Sequence, residues 1–284
     1  MKIALSAEST VDLTEKLIKE WNINLVKFRI SIGEEEFFDG DKTNGEIYSL
    51  VYLHKVLPKT SAVNQEQYRE HFTKLFNEGY DAIIHISLSS EISTACNNAK
   101  AVAKEMKNVY VIDSRSLSTG IALLCHYARV LIDKGIAPDK IQELVSSRCD
   151  DVEASFILYT LEYLYKGGRC SLLALFGANL LKIRPQILVI NGKMAPSKKF
   201  IGEYNKCVEK YAESIVEKYN KPDKSLAFVT YSSYEPEMIK KCKDVLIKAG
   251  FERIEETSSG STITSHCGEN CIGILFINGP EPEI

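Results

Sequence analysis

Short apolar runs alternate with amphipathic helical patterns along the first half of this chain, and no other feature restricts its fold as much. Residues 2–7 and 81–88 (DAIIHISL) read as buried strands, 109–112 as another, and the alternating, β-branched stretch 24–31 as one more. Helical spacing falls between them, near 13–21, over the alanine-rich 93–107, and over 117–134, which Gly135 and Pro138 close. Strand, loop and helix in repetition is the pattern of a parallel sheet with helices on both faces.

The second half changes character. Residues 155–161 read as a strand and 171–182 as an apolar helix that stops before Pro185. The run 186–190, Asn191-Gly192, 193–200 reads as a β-hairpin, because Asn and Gly accept the positive φ angles of a type I′ turn. Helices are expected near 203–219 and 236–249, and strands at 225–231 and 272–278. The expected architecture is α/β in two domains: 1–155 with the parallel sheet, and 156–284 with an α+β pattern. A chain of 284 residues suits two modest cores and buries roughly three quarters of its unfolded surface, so no disulfide staple is needed.

The eight cysteines therefore read as small buried hydrophobes. Only a few apolar residues separate Met1-Lys2 from Glu8, too few for a secretory core, and the expected setting is a reducing cytoplasm. No apolar run approaches the roughly 18 residues of a membrane span, so stable membrane insertion is not expected. Net charge is -3 with lysines scattered among glutamates, which lacks the basic stripe of a nucleic-acid binder. No GxGxxG, P-loop, GxSxG or HExxH occurs, and the common nucleotide, hydrolase and protease readings lose their anchor.

In a doubly wound sheet, ligands bind at the carboxyl ends of the strands. Hydroxyls gather at those ends here: Ser9 and Thr10 after the first strand, Ser89, Ser90 and Ser93 after residue 88, and Ser114 and Ser116 after residue 112. Two of these loops run into helix N-termini, whose free N–H groups attract anions. Each residue alone is as readable as a helix cap; together they suggest an uncharged anion cradle. Lys59-Thr60-Ser61 precedes a further helix near 65–77. Gly167-Gly168-Arg169 sets a permanent cation behind two flexible residues, suited to a phosphate or carboxylate, or to an exposed turn. His266-Cys267-Gly268-Glu269-Asn270-Cys271 offers a histidine and two thiols. Zinc or thiol chemistry there lacks the paired CxxC spacing of structural sites, so neither a metal nor a cofactor is expected.

Taken in order, these segments resemble the DegV family. Glu8-Ser9-Thr10-Val11-Asp12-Leu13 is similar to its Asp-Ser-Thr-Ala-Asp-Leu, Lys59-Thr60-Ser61 to its Lys-Thr-Ser, and Val111-Ile112-Asp113-Ser114 to its Ile-Asp-Ser strand end. Ser89-Ser90-Glu91-Ile92-Ser93 resembles its serine-rich loop, Leu181-Lys182-Ile183-Arg184-Pro185 its Lys-Pro segment, and His266-Cys267-Gly268 its His-x-Gly. Leu161-Glu162-Tyr163-Leu164-Tyr165-Lys166-Gly167-Gly168-Arg169 is close to the family's most distinctive stretch.

The resemblance implies two α/β domains with a fatty acid in a tunnel between them. It also implies a lipid-binding subunit of a bacterial fatty acid kinase, without activity of its own, that presents the carboxylate to a separate ATP-binding subunit. It places Thr60, Ser61 and Ser93 on the carboxylate, His266 in the same pocket and Arg169 at its rim; the strand-end loops add Ser9 and Ser114 as a further head-group loop. The apolar helical stretches 117–134 and 171–182 read as ordinary core or as tunnel lining, since apolar stripes usually mean packing. The chain departs from the family pattern at Ala62-Val63-Asn64, Thr94-Ala95 and Glu269-Asn270, positions that bear on acyl-chain preference and on the partner surface. The alternative function is an enzyme acting on a small carboxylated or phosphorylated substrate, with His266 as general base and Arg169 as anion clamp.

Overall fold

A computed structural model describes residues 1–170, 183–219 and 221–279. From β1 (Ile3–Glu8) the chain passes through α1 (Glu15–Glu20) to β2 (Ile23–Val26). It then leaves the sheet for a small antiparallel unit made of β3 (Arg29–Ile32), β4 (Glu35–Phe38), α2 (Asn44–His54) and β5 (Lys59–Ser61). It returns through α3 (Gln65–Asn77), β6 (Ala82–Ser87), α4 (Ala95–Ala103), β7 (Val109–Asp113), α5 (Thr119–Asp133) and α6 (Pro138–Arg148). Strands β2, β1, β6 and β7 lie side by side in that order, all parallel. Every residue of β1 and β6 is buried, as a sheet covered on both faces requires. Helices α3 and α4 pack together on one face, α5 and α6 on the other.

Two expectations are corrected here. The stretch 24–31 is not one strand: β2 ends at Val26 in the parallel sheet, and β3 starts at Arg29 in the three-stranded sheet β4-β3-β5. Pro138 does not merely close the preceding helix. It occupies the first turn of α6, where a missing N–H costs nothing.

The second half contributes β8 (Val152–Ile157), α7 (Glu162–Gly167), β9 (Ile183–Ile190), β10 (Lys193–Ile201) and α8 (Tyr204–Lys218). It continues with β11 (Pro222–Tyr231), α9 (Pro236–Lys248), β12 (Ile254–Ser258), α10 (Ser261–Cys267) and β13 (Ile272–Asn278). Its sheet runs β10-β9-β8-β13-β11-β12, antiparallel except between β11 and β12. The turn of the β9–β10 hairpin has Asn191 at φ 52° and Gly192 at φ 80°, the two left-handed residues that a type I′ turn demands. The division expected after residue 155 falls inside β8, which pairs with β9 and β13. The helix expected at 171–182 lies outside the described residues.

Helix α5 joins the two halves. It packs on β1 and β6 on one side and on β8, β11 and β13 on the other, and its residues from Thr119 to Cys125 are all buried. Helices α8 and α9 cover the far face of the six-stranded sheet, around Tyr211, Phe228's neighbours Ala227 and Val229, and Phe276.

Candidate ligand-binding site

From β1 the chain crosses to β2 on one side, while β6 and β7 lie on the other, so the parallel sheet has its switch point between β1 and β6. Ligands in such sheets bind outside the carboxyl ends at that point. A cavity of about 510 Å³ lies there, between that edge and the six-stranded sheet. Its size falls within the roughly 300–1,000 Å³ of small-molecule sites. Phe28, Leu88 and Leu117 wall it from the first half of the chain, and Phe156, Met194 and Leu275 from the second.

Of the seven residues assigned to the head-group shell or its rim, four meet in this cavity: Thr60, Ser93, Arg169 and His266. Thr60 arrives on β5, where strand alternation turns it inward and leaves Lys59 and Ser61 exposed. His266 arrives near the end of α10. Its Nε2 and the Thr60 hydroxyl are 2.8 Å apart. Burial, with a further push from the Arg169 cation, holds the imidazole down to about 4, so it is neutral at pH 7. Its Nδ1 is buried against Gly167 without a hydrogen-bond partner among the described residues. Ser93 precedes α4, and its hydroxyl accepts the Ala95 N–H at 3.2 Å, leaving its own proton available. Arg169 is exposed and donates to the Gly167 carbonyl of its own turn.

The other three sit elsewhere. Ser61 does not line the cavity. Ser9 donates to Asp39 at 2.9 Å and accepts the Phe28 N–H at 3.1 Å, tying the end of β1 to the small antiparallel unit. Ser114 is fully buried and bonds both ways with Ser116, closing the turn after β7. The hydroxyl loops do converge, but much of their hydrogen bonding is mutual or internal. Ser89, for example, donates to the Gly192 carbonyl of the hairpin at 2.8 Å, docking the second half on the serine loop.

Two buried carboxylates, unassigned in the sequence, hold this arrangement. Glu8 accepts from the Tyr68 and Ser87 hydroxyls, from His85 Nε2 at 3.1 Å and from the Leu88 N–H at 2.9 Å. Burial pushes its carboxyl up, but His85 together with the hydroxyls brings it below the ordinary carboxylate value. It thereby fixes the start of the loop that carries Ser93. Asp12 accepts the Ser118 hydroxyl at 2.5 Å and the Gly260 N–H at 2.7 Å, fixing the start of α10. Among the described residues no group of three or more His, Cys, Asp or Glu is placed to hold a metal, and no helix is long and apolar enough to cross a membrane.

Comparison with known proteins places these features in context. A family model described as "Uncharacterised protein, DegV family" matches residues 2–279. A protein of Thermotoga maritima described as a fatty acid-binding protein is 27% identical over 282 residues, 96% of each chain. A DegV domain-containing protein of Clostridium acetobutylicum is 33% identical over 191 residues, 66% of this chain and 67% of its own. Among solved structures, a DegV lipid-binding protein from Thermotoga maritima superposes with a TM-score of 0.88 at 25% identity, covering 99% of this chain and 100% of its own. A second Thermotoga maritima structure, described as revealing fatty acid binding function, has a TM-score of 0.84 at 25% identity, covering 98% and 100%.

Proposed function

The chain belongs to the DegV family, and from that premise we propose that it binds a long-chain fatty acid in the cavity, with the carboxylate held by Thr60, Ser93 and His266. The observation that carries this reading is the Thr60–His266 hydrogen bond, made across 206 residues of chain in one cavity with Ser93 and with aromatic and aliphatic walls. The relatives described as fatty acid-binding or lipid-binding support it. When Nε2–H donates to the Thr60 oxygen, the Thr60 proton is free to donate to a carboxylate. Ser93 adds to it from just ahead of the N-terminus of α4, the end of a helix that favours anions. A carboxylate held by neutral donors keeps more of its nucleophilicity than one gripped by a buried bidentate arginine.

The finer proposal is that the protein presents this carboxylate, in a bacterial cytoplasm, to a separate ATP-binding kinase subunit that makes the acyl phosphate. Arg169, exposed at the rim, would meet the incoming phosphoryl group. The enzyme alternative is weaker, because a histidine held to about 4 is a poor general base at neutral pH.

Native mass spectrometry of the delipidated protein with palmitate tests the main reading. One bound fatty acid is expected, and a protein that stays empty rules the reading out. Arg169→Ala should bind fatty acid nearly as well as wild type. With a cognate kinase subunit it should form about tenfold to a thousandfold less acyl phosphate, as for loss of a group that stabilises transferring charge. Equal acyl-phosphate formation would reduce Arg169 to an ornament of its turn.

A further inference from the structure

We propose that Cys267 and Cys271 form an oxidisable dithiol in the wall of the ligand cavity, converted to a disulfide by a peroxide that enters through the cavity and shielded when the cavity is filled. All eight cysteines are free and buried, and these two are the ones that line the cavity. They are 5% and 8% exposed, so a reagent reaches them chiefly from within it.

The chain geometry sets the two cysteines at the ends of one tight turn. Cys267 ends α10, directly after His266, and Cys271 directly precedes β13. Between them Gly268 at φ 70° and Asn270 at φ 54° fold the backbone back on itself. The Cys267 thiol points to the Gly268 carbonyl at 3.7 Å. That carbonyl also accepts the Tyr48 hydroxyl at 3.2 Å and the Ser232 hydroxyl, while Ser232 accepts the Cys271 N–H at 3.0 Å. The turn is thus pinned on three sides, with a cavity-lining thiol at each end. Closing the turn with a disulfide requires the two sulfurs to approach to roughly 2.05 Å.

The chemistry balances without a cofactor. The neighbouring sulfur and burial hold Cys271 well above the ordinary thiol value, which suits it to the resolving role, with Cys267 attacking first. Cys267 gives up its proton and attacks one peroxide oxygen, and the O–O bond breaks. The sulfur is oxidised by two electrons to a sulfenic acid, and the other oxygen takes the thiol's proton and leaves as water or an alcohol. Cys271 then displaces the sulfenic hydroxyl, which departs as water with the Cys271 proton, and the S–S bond forms. The link would distort the wall beside His266 and weaken ligand binding.

Shielding by ligand rests on the fatty-acid reading; the dithiol does not. The test treats delipidated protein and palmitate-loaded protein with hydrogen peroxide, followed by intact mass and peptide mapping. The delipidated protein is expected to lose two hydrogen atoms, with the 267- and 271-containing segments joined. The loaded protein should stay largely reduced. Oxidised protein should bind palmitate more weakly, with recovery after dithiothreitol, and Cys271→Ser should give no link. A delipidated wild type that keeps all its thiols, a link between other cysteines, or isolated sulfinic acid would overturn the proposal. Equal oxidation with and without bound palmitate would overturn the cavity route. If palmitate fails to bind at all, the fatty-acid reading fails, while the mapping of delipidated wild type still decides the dithiol, even should the serine variant not fold.

Discussion

Gly167 stands where any side chain would collide with the imidazole of His266: a Cβ there would lie 2.7 Å from Nδ1. Gly167→Ala should therefore push His266 away from Thr60 and weaken fatty-acid binding by about tenfold, or 1.4 kcal/mol, while changing the melting temperature little. A displacement assay showing unchanged affinity would remove His266 from the head-group site. Thr60→Val and Ser93→Ala should each weaken binding by about 1 to 3 kcal/mol, as for hydrogen bonds to a charged group. Wild-type affinity in both would end the carboxylate assignment. Ser9 calls for the opposite result. Its hydroxyl bridges Asp39 and the Phe28 N–H inside the protein, so Ser9→Ala should cost about 1 to 3 kcal/mol in urea unfolding and leave affinity alone. Reduced affinity at unchanged stability would return Ser9 to the head-group shell. Ser9 and Ser93 are alike as residue types in serine-bearing loops at the sheet edge, and nothing local distinguishes them. The direction each hydroxyl takes depends on what the rest of the chain puts beside it.

At the scale of elements, α10 is the piece that local pattern hides. Its seven residues, STITSHC, are rich in hydroxyl and β-branched types that form helices poorly. A helix this short is marginal in isolation, and its N-cap Gly260 has no side chain to cap it. Asp12 acts in place of that cap across 248 residues of chain. Asp12→Ala should leave the Gly260 N–H unpaired and cost about 1 to 3 kcal/mol in urea unfolding. It should also weaken fatty-acid binding, because His266 rides on the other end of the helix. Lost stability with intact affinity would show that α10 keeps its place without the clasp. Gly260 itself is required by the crowd around it: a Cβ there would lie 2.8 Å from Asp39 Oδ1 and 3.1 Å from Asp12 Oδ1. β5 illustrates a similar dependence. Its three residues make a strand only because β3 offers them an edge.

For the whole molecule, acid should loosen the fold through its histidines. Burial holds His71 down to about 3 and His266 to about 4, both below the usual 6.5. The unfolded chain therefore binds more protons than the folded one below pH 6.5. The contribution of the two groups is complete above that value and is lost as pH falls toward 4, by about 1 kcal/mol per pH unit for each. Asp12 works in the other direction, since burial and the nearby Asp39 raise it well above the ordinary range, so the comparison must be with a variant. Urea unfolding between pH 4.5 and 7 should show a clear slope in wild type that largely flattens in the His71→Asn/His266→Asn double variant; parallel curves would contradict the assignment.

The parallel sheet and the β9–β10 hairpin were legible in the sequence because their signals are local: periodicity, a cap, an Asn-Gly turn. The stretch 24–31 was misread because a strand pattern carries no record of which sheet will pair with it. Residues 261–267 gave no helical signal because the group that starts that helix lies at the opposite end of the chain. Thr60, Ser93, Arg169 and His266 could be named from residue type and family resemblance. Their convergence on one cavity, and the exclusion of Ser61, Ser9 and Ser114 from it, depended on strand direction, sheet order and two buried carboxylates, which are set by contacts between distant segments and leave no periodic trace in the chain.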